Sequence, residues 1–588
     1  MNTVRIAFIR NTAVNLALPG QTSGSLDIFK CASLACGILF GSVCVADDWS
    51  RFRGPNGSGV AAASESVPLT WSPTANLGWK TEMPGPGASS PIIVDGKVFV
   101  TCYSGYGLSQ ESPGDISDLV RHLICVDLTT GKKLWQQDVP VSLPEDIFSG
   151  SGVTAHGYAS NTPVSDGKRV IAFFGKSGVH AFDLDGHKLW HADVGKESDP
   201  TRCGSSSSPI IFENTVIITA AVESQSIIGL DLETGKEVWR QEAKGLDNMW
   251  GTPVLVKVED NRTDLVMCVA MEFWGLDPSN GKLRWHAAAT GADHAYTSVV
   301  LDGKRVYAFT NRGRGSIALD AGGKGDVSKT NRVWTGRDSA TFGSPVLHHS
   351  KLYSFANGVL TVVDAETGKR LQRVRLKAPP TASGQGPREF ASPIVVGNHL
   401  YYLHHSGQMF VYDLQGEELT QVALNHVTTQ SEGYWATPAV ADKRLILRNC
   451  KNLYCIVDKG QTVEQDAEQL VQEVEPDEQQ PGGGGPGGVG RPGGGGPGGG
   501  PFNPQVLFNR LDRNQDGQLS ADELQGTPMA GRLQELDKDQ DGGLSKEEFL
   551  AHLATLPPPG GPGGPGGPGG NAIQAKPNRP QRPTLADS

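Results

Sequence analysis

Several things are missing from this 588-residue chain, and each absence removes a class of function. No two cysteines are adjacent and no Cys-x-x-Cys occurs, so zinc-ribbon and thioredoxin-like chemistry find no support. Beyond the first 46 residues the cysteines are Cys102, Cys125, Cys203, Cys268, Cys450 and Cys455. They read as small side chains buried in strands, with a Cys450–Cys455 disulfide left open. No basic arm or stripe is present, which sets nucleic-acid binding aside. The net charge is −11, yet residues 461–480 hold seven acids and no base, and 501–550 hold ten acids against five bases. Past residue 46 no apolar run reaches the roughly 18 residues of a membrane span, so none is expected in the mature chain. A sustained 3.6-residue apolar period is also absent from 47–460, which argues against a helical solenoid.

What is present begins with an apolar stretch, 31–46, that follows Lys30 and ends in Cys44-Val45-Ala46 before Asp47-Asp48. A short apolar core with a small-x-small end is the pattern of a secretory signal peptide, so 1–46 is read as one and the protein as exported. The 30-residue leader ahead of the core leaves room for a start downstream of Met1. Cys44 lacks a Leu three residues earlier, a poor match to a lipid-anchoring site.

Two short patterns then recur. The first is Ser or Thr, then Pro, then a β-rich run: Ser90-Pro91, Thr162-Pro163, Ser208-Pro209, Thr252-Pro253, Ser344-Pro345, Ser392-Pro393 and Thr437-Pro438. Tyr296-Thr297-Ser298 fills a missing slot, with Val299 in place of Pro. Apart from the first interval, the steps are then 44–48 residues. The second pattern is Asp-x-x-x-Gly-Lys-x-x-Trp, clear in Asp127…Trp135, Asp231…Trp239 and Asp277…Trp285. It recurs one residue shorter in Asp183…Trp190, with an insertion in Asp320…Trp334, and without Trp from Asp364 and Asp413. Asp458 opens an eighth copy that stops at once.

Each unit divides into four short β-branched runs separated by Gly-containing turns, a hairpin signal. Eight such units predict an all-β eight-bladed propeller over 47–460. Because the eighth unit lacks its last strand while Leu77-Gly78-Trp79-Lys80 has no preceding Asp, the N-terminal strand is expected to complete the last blade. That removes two open edges. The recurring Trp is expected to wedge between blades, each indole contributing about 2–3 kcal/mol by buried area.

These units resemble PQQ-like (BamB-like) repeat propellers. The opening Trp49-Ser-Arg-Phe-Arg53-Gly-Pro-Asn-Gly57 resembles the N-terminal box of the secreted branch. The resemblance admits two functions: a non-enzymatic binding or scaffold propeller of the cell envelope with a protein or peptide partner, or a PQQ-dependent alcohol or sugar dehydrogenase. The dehydrogenases place a vicinal cysteine pair over the quinone, and no such pair occurs here, so PQQ is not expected. Loops before the Ser/Thr-Pro strands should converge near the axis. They carry His156, Arg202, Trp250, His294, Arg388, Glu389 and Trp435, a polar and aromatic set suited to a small or peptide ligand.

After an acidic and Gly/Pro-rich linker, 461–503, two loops carry calcium-ligand spacing. The first offers Asp512, Asn514, Asp516, the backbone of Gln518, Ser520 and Glu523. The second offers Asp537, Asp539, Asp541, the backbone of Gly543, Ser545 and Glu548. A hard cation wants six to eight oxygens, and glycine at the sixth position supplies the sharp turn. Leu519 and Leu544 should pair as the short β contact between loops. Residues 504–556 therefore resemble a small all-α EF-hand pair binding Ca2+, and 557–588 read as a disordered tail.

Overall fold

In the computed structural model of the chain, residues 48–474 are described except 110–111, 148–157, 199–202, 291–293, 311–314, 378–388 and 430–432. Further on, 517–520, 524, 533–539, 541–555 and 579–586 are described. The signal peptide expected over 1–46 lies outside these residues.

Eight antiparallel sheets follow one another along the chain as propeller blades. Blade 1 comprises Ile92–Val94, Lys97–Ser104, Val120–Asp127 and Lys133–Pro140, and blades 2 to 7 repeat this order. Blade 8 takes Ala439–Ala441, Arg444–Arg448 and Asn452–Val457 from the end of the repeat and Leu77–Glu82 from its beginning. Trp79 pairs with Cys455 and Glu82 with Asn452, so the ring is closed by the N-terminal strand as the orphan motif implied. Apolar side chains from facing sheets form the cores between blades. One such core joins Val98, Val100 and Ile124 of blade 1 to Leu445, Leu447 and Tyr454 of blade 8.

The repeated Gly and Trp are two halves of one contact. Trp79 Nε1 donates to the Leu128 carbonyl at 2.9 Å, and Trp135, Trp190 and Trp334 make the same bond to Leu184, Leu232 and Ala365 of the following blades. The glycine of the next blade's turn lies under the indole. A Cβ on Gly131 would stand 2.5 Å from the Trp79 ring, at φ +72°, where only glycine is unstrained. Blade 5 carries the insertion instead of this glycine, and the preceding Trp285 finds another partner, the buried Asp264 carboxylate at 2.7 Å.

Two expectations change. The acidic stretch read as linker from 461 is placed along the propeller as far as Val474. Gln465 accepts from the Leu424 N–H at 2.8 Å, and Glu473–Val474 pairs with the outer strand of blade 6, covering an open edge. The tail read as disordered is also placed over 579–586, against blade 4. Cys102, Cys125, Cys268 and Cys455 are buried in strands, and burial pushes each thiol up to about 12. Cys450 is not joined to Cys455; its sulfur accepts from Trp435 Nε1 at 3.0 Å. Among the described residues no helix is long and apolar enough to cross a membrane.

Candidate functional site

The inner strands converge on the axis, and the Ser/Thr that precedes each proline has a specific task there. Its hydroxyl accepts a hydrogen bond from the backbone N–H of the corresponding residue in the blade before. Ser90 N–H donates to Thr162 Oγ1, Thr162 to Ser208, Ser208 to Thr252 and Thr252 to Ser298, at 2.9 to 3.0 Å. Ser298 donates to Ser344, Ser344 to Ser392, Ser392 to Thr437 and Thr437 back to Ser90, at 2.8 to 3.0 Å. The result is a closed ring of eight bonds. It satisfies a buried N–H in every blade, which explains why the motif needs a hydroxyl. Ser298 holds its place in the ring without a following proline.

Two residues before the ring position stand Trp250, Tyr296, Phe342, Phe390 and Trp435, in five consecutive blades. Their rings meet edge to face or face to face, with centroids 4.9, 4.9, 4.7 and 4.3 Å apart in that order. The other three blades carry Ala88, Ser160 and Ser206 at the same place. An aromatic arc therefore lines one side of the axial mouth and small residues line the other. The indoles are fixed by hydrogen bonds, Trp250 to the Gly204 carbonyl at 2.8 Å and Trp435 to Cys450. His294 extends the arc, nearly parallel to Trp250 with centroids 5.9 Å apart. Apart from Trp250, the members of the arc are half-buried, leaving ring faces for a ligand.

On the far side of the ring, the segment from Trp49 is laid across the other end of the axis. Its backbone pairs with Ile93 of blade 1 and Ser165 of blade 2. Arg51 donates to the Pro253 carbonyl of blade 4 at 3.0 Å, and Arg53 to the Pro345 carbonyl of blade 6. Ala61 pairs with Val395 of blade 7, and Glu65 accepts from two N–H groups of blade 8. Burial lowers the Arg51 guanidinium to about 10. Burial and the neighbouring Arg51 charge lower Arg53 to about 9. The segment 49–65 thus bolts six blades together at the mouth opposite the arc.

Of the mouth residues expected from sequence, Trp250, His294 and Trp435 belong to the arc. Glu389 does not line the mouth. It is fully buried, its carboxylate accepting from Gly358 N–H at 2.6 Å and Thr341 Oγ1 at 2.9 Å, so it braces loops of blade 6. His156, Arg202 and Arg388 lie outside the described residues. Tyr296, Phe342 and Phe390 were missed. Their signal was available in the fixed offset from the hydroxyl position.

In the C-terminal module, Gln518-Leu519 pairs with Leu544-Ser545, and Leu519 faces Leu544 in register as expected. Leu524, Leu536 and Phe549 complete a small core beneath. Asp537, Asp539 and Asp541 can bring one carboxylate oxygen each to within 4.8 Å of one another. Gly542 has φ +96° at the turn, and Gly543 follows with a backbone carbonyl. Glu548 closes the loop by accepting from the N–H groups of Lys538 at 2.7 Å and Ser545 at 2.9 Å. Partial desolvation, then the Asp541 charge, hold the Asp539 carboxyl above the ordinary range. Crowded acids of this kind fit a hard divalent cation. In the first loop Gln518 is described, while Asp512, Asn514, Asp516 and Glu523 lie outside the described residues.

The family model for outer membrane protein assembly factor BamB matches residues 122–374, and that for the EF hand matches 505–526 and 530–553. The chain thus carries a match to the BamB repeat family within its eight-bladed propeller and an EF-hand match toward its C-terminal end. The chain is 23% identical over 367 residues to tetrathionate hydrolase of Acidithiobacillus ferrooxidans, an alignment covering 57% of this chain and 66% of that protein, just under two thirds of its length. Among solved structures it is similar to BamB from Moraxella catarrhalis, at 13% identity and TM-score 0.45, covering 66% of this chain and 99% of that one. It is also similar to the quinohemoprotein alcohol dehydrogenase of Comamonas testosteroni, at 14% identity and TM-score 0.48, covering 73% and 83%.

A quinone of the PQQ type would find flat aromatic faces in this propeller. Among the described residues, the arginines nearest the axis are already engaged. Arg448 is spent on the Ser89 and Thr101 carbonyls, at 2.7 and 2.6 Å, and Arg51 and Arg53 lie beyond the hydroxyl ring.

Proposed function

We propose that the protein is an exported, non-enzymatic binding propeller of the cell envelope, comparable to BamB, with a calcium-binding EF-hand module. The observation that carries this reading is the aromatic arc from Trp250 to Trp435 above a closed hydroxyl ring, at the mouth opposite the N-terminal segment. Fixed aromatic faces with small neighbours accept an extended or turn-forming peptide by burying its apolar and prolyl surface. The EF-hand pair is read as holding Ca2+ with the affinity of about 10⁻⁴–10⁻³ M typical of extracellular modules. The reading is tested by capturing partners from envelope extract with the full-length protein and with a Trp250→Ala, Trp435→Ala double variant. Partners lost from the variant sustain the arc as the binding face. Partners retained at equal yield by a folded variant overturn it.

A second reading, a PQQ-dependent alcohol or sugar dehydrogenase, draws on the same aromatic faces. An enzymatic role of another kind draws on the sequence relation to tetrathionate hydrolase. Both require turnover, which partner capture alone does not produce.

A further inference from the structure

The last placed residues, 579–586, make more specific contacts with the propeller than a passing tail requires. Gln581 N–H donates to the Lys244 carbonyl at 2.7 Å, and Pro580 lies against Gly245. Arg582 grips Glu272 through Nε, at 2.8 and 3.0 Å, and Nη2, at 2.8 Å; Arg579 Nε stands 3.1 Å from the same carboxylate. Arg582 Nη1 also reaches His286 Nε2 at 3.3 Å. Beyond, Leu585 forms a parallel bridge with Leu283, and Ala586 N–H donates to the Leu283 carbonyl at 2.8 Å.

Blade 4 departs from its sisters at the two positions this segment uses. Glu272 sits opposite Ala288, three residues past the wedge tryptophan. The same register place holds His122 in blade 1, Ser226 in blade 3 and Val359 in blade 6. Its carboxylate is 2% exposed, and within the blade it accepts from Trp274 Nε1 at 2.9 Å. A buried carboxylate needs cations close by, and the two that reach it come from the tail. Burial acts to raise this carboxyl, but the Arg582 and Trp274 hydrogen bonds hold it below the usual range. Leu283 is the second departure. Two residues before the wedge position blades 1, 2, 3, 5 and 6 carry Lys133, Lys188, Glu237, Arg332 and Arg370 and blade 8 carries a partly buried Leu77, whereas here a leucine is fully buried beside Leu585.

We propose that the outer edge of blade 4 is a peptide-binding site for an Arg-Pro-x-Arg-Pro-x-Leu segment, and that its occupant is this chain's own C-terminus. Recognition combines strand addition at Leu283 with a two-arginine clamp on one buried carboxylate. The EF-hand module is then a loop fastened at both ends, by Glu473–Val474 on blade 6 and by 579–586 on blade 4. Covalent linkage makes docking of the segment intramolecular, so a modest intrinsic affinity keeps it docked.

The test uses the full-length chain and a fluorescein-labelled peptide of residues 578–588, followed by anisotropy. An Arg579→Ala, Arg582→Ala chain, whose own tail is weakened, should bind the peptide at least about tenfold more tightly than the wild-type chain, whose site is filled. Adding Glu272→Gln, or using a peptide lacking both arginines, should remove that binding. Amide exchange at Ala586 of the full-length protein should be slow in wild type and fast in Arg582→Ala, a reading independent of the peptide. Equal peptide binding by all chains, or an Ala586 amide indifferent to Arg582, overturns the site. A concentration-dependent dimer abolished by Arg582→Ala overturns the intramolecular occupant.

Discussion

Thr252→Val isolates one bond of the axial ring. The substitution keeps size and branching but replaces the hydroxyl that accepts from Ser208 N–H at 3.0 Å. Both residues are nearly fully buried, at 4% and 3% exposure, so water does not readily replace the lost acceptor. Thr252's own N–H still donates to Ser298, which confines the loss to one link. An orphaned buried N–H costs about 1–3 kcal/mol. At 1.4 kcal/mol per decade, exchange of the Ser208 amide should speed up about 5- to 150-fold. Hydrogen–deuterium exchange of a peptide spanning 206–212 reads this directly, with Thr252→Ser as the control that keeps the hydroxyl. Unchanged protection in the valine variant, or equal loss in both variants, would refute the claim that the hydroxyl closes the ring.

Further expectations follow from the same contacts. Gly235→Ala forces a Cβ to within 2.5 Å of the Trp190 ring at φ +70°, and should cost about 2–4 kcal/mol from overpacking and left-handed strain, seen as a lowered melting temperature. Asp537→Asn with Asp539→Asn should remove one calcium equivalent by isothermal calorimetry while the propeller melts unchanged; an unaltered stoichiometry would contradict the assignment of the second loop. Burial lowers His180 to about 4 and His404 to about 3, below the ordinary 6.5. Above pH 6.5 both are neutral folded or unfolded; below it the unfolded chain takes up protons that the folded one refuses. Stability is therefore full above about pH 6.5 and declines from there toward pH 4 and 3. In His404→Asn, the fall in urea midpoint between pH 7 and 4.5 should be shallower than in wild type, and an identical fall would contradict the burial argument.

The propeller was legible because each of its motifs answers one local need. The hydroxyl before proline satisfies an axial N–H, and the turn glycine makes room for the previous blade's tryptophan. The orphan Trp79 strand announced the closure for the same reason. Mouth residues were harder to read. Trp250 and Trp435 stood out by type, but Tyr296, Phe342 and Phe390 pass for core residues until the hydroxyl offset aligns them. Glu389 was misread, because a charged residue near the mouth by sequence can turn inward when two donors wait for it. The N-terminal box and the C-terminal segment act across hundreds of residues, through Arg53 to Pro345 and Arg582 to Glu272. No local period in a chain encodes such pairings. The tail's prolines and adjoining glycine tract suggested disorder, and its two arginines gained meaning only beside a buried carboxylate.

The most direct measurement of binding against catalysis is a titration of the full-length protein with PQQ in millimolar calcium, followed by dye reduction on mixed alcohols and sugars. A binding propeller whose mouth lacks the vicinal cysteine pair should show neither stoichiometric quinone uptake nor turnover. Stoichiometric uptake accompanied by dye reduction would contradict the account and make the aromatic arc the wall of an active site.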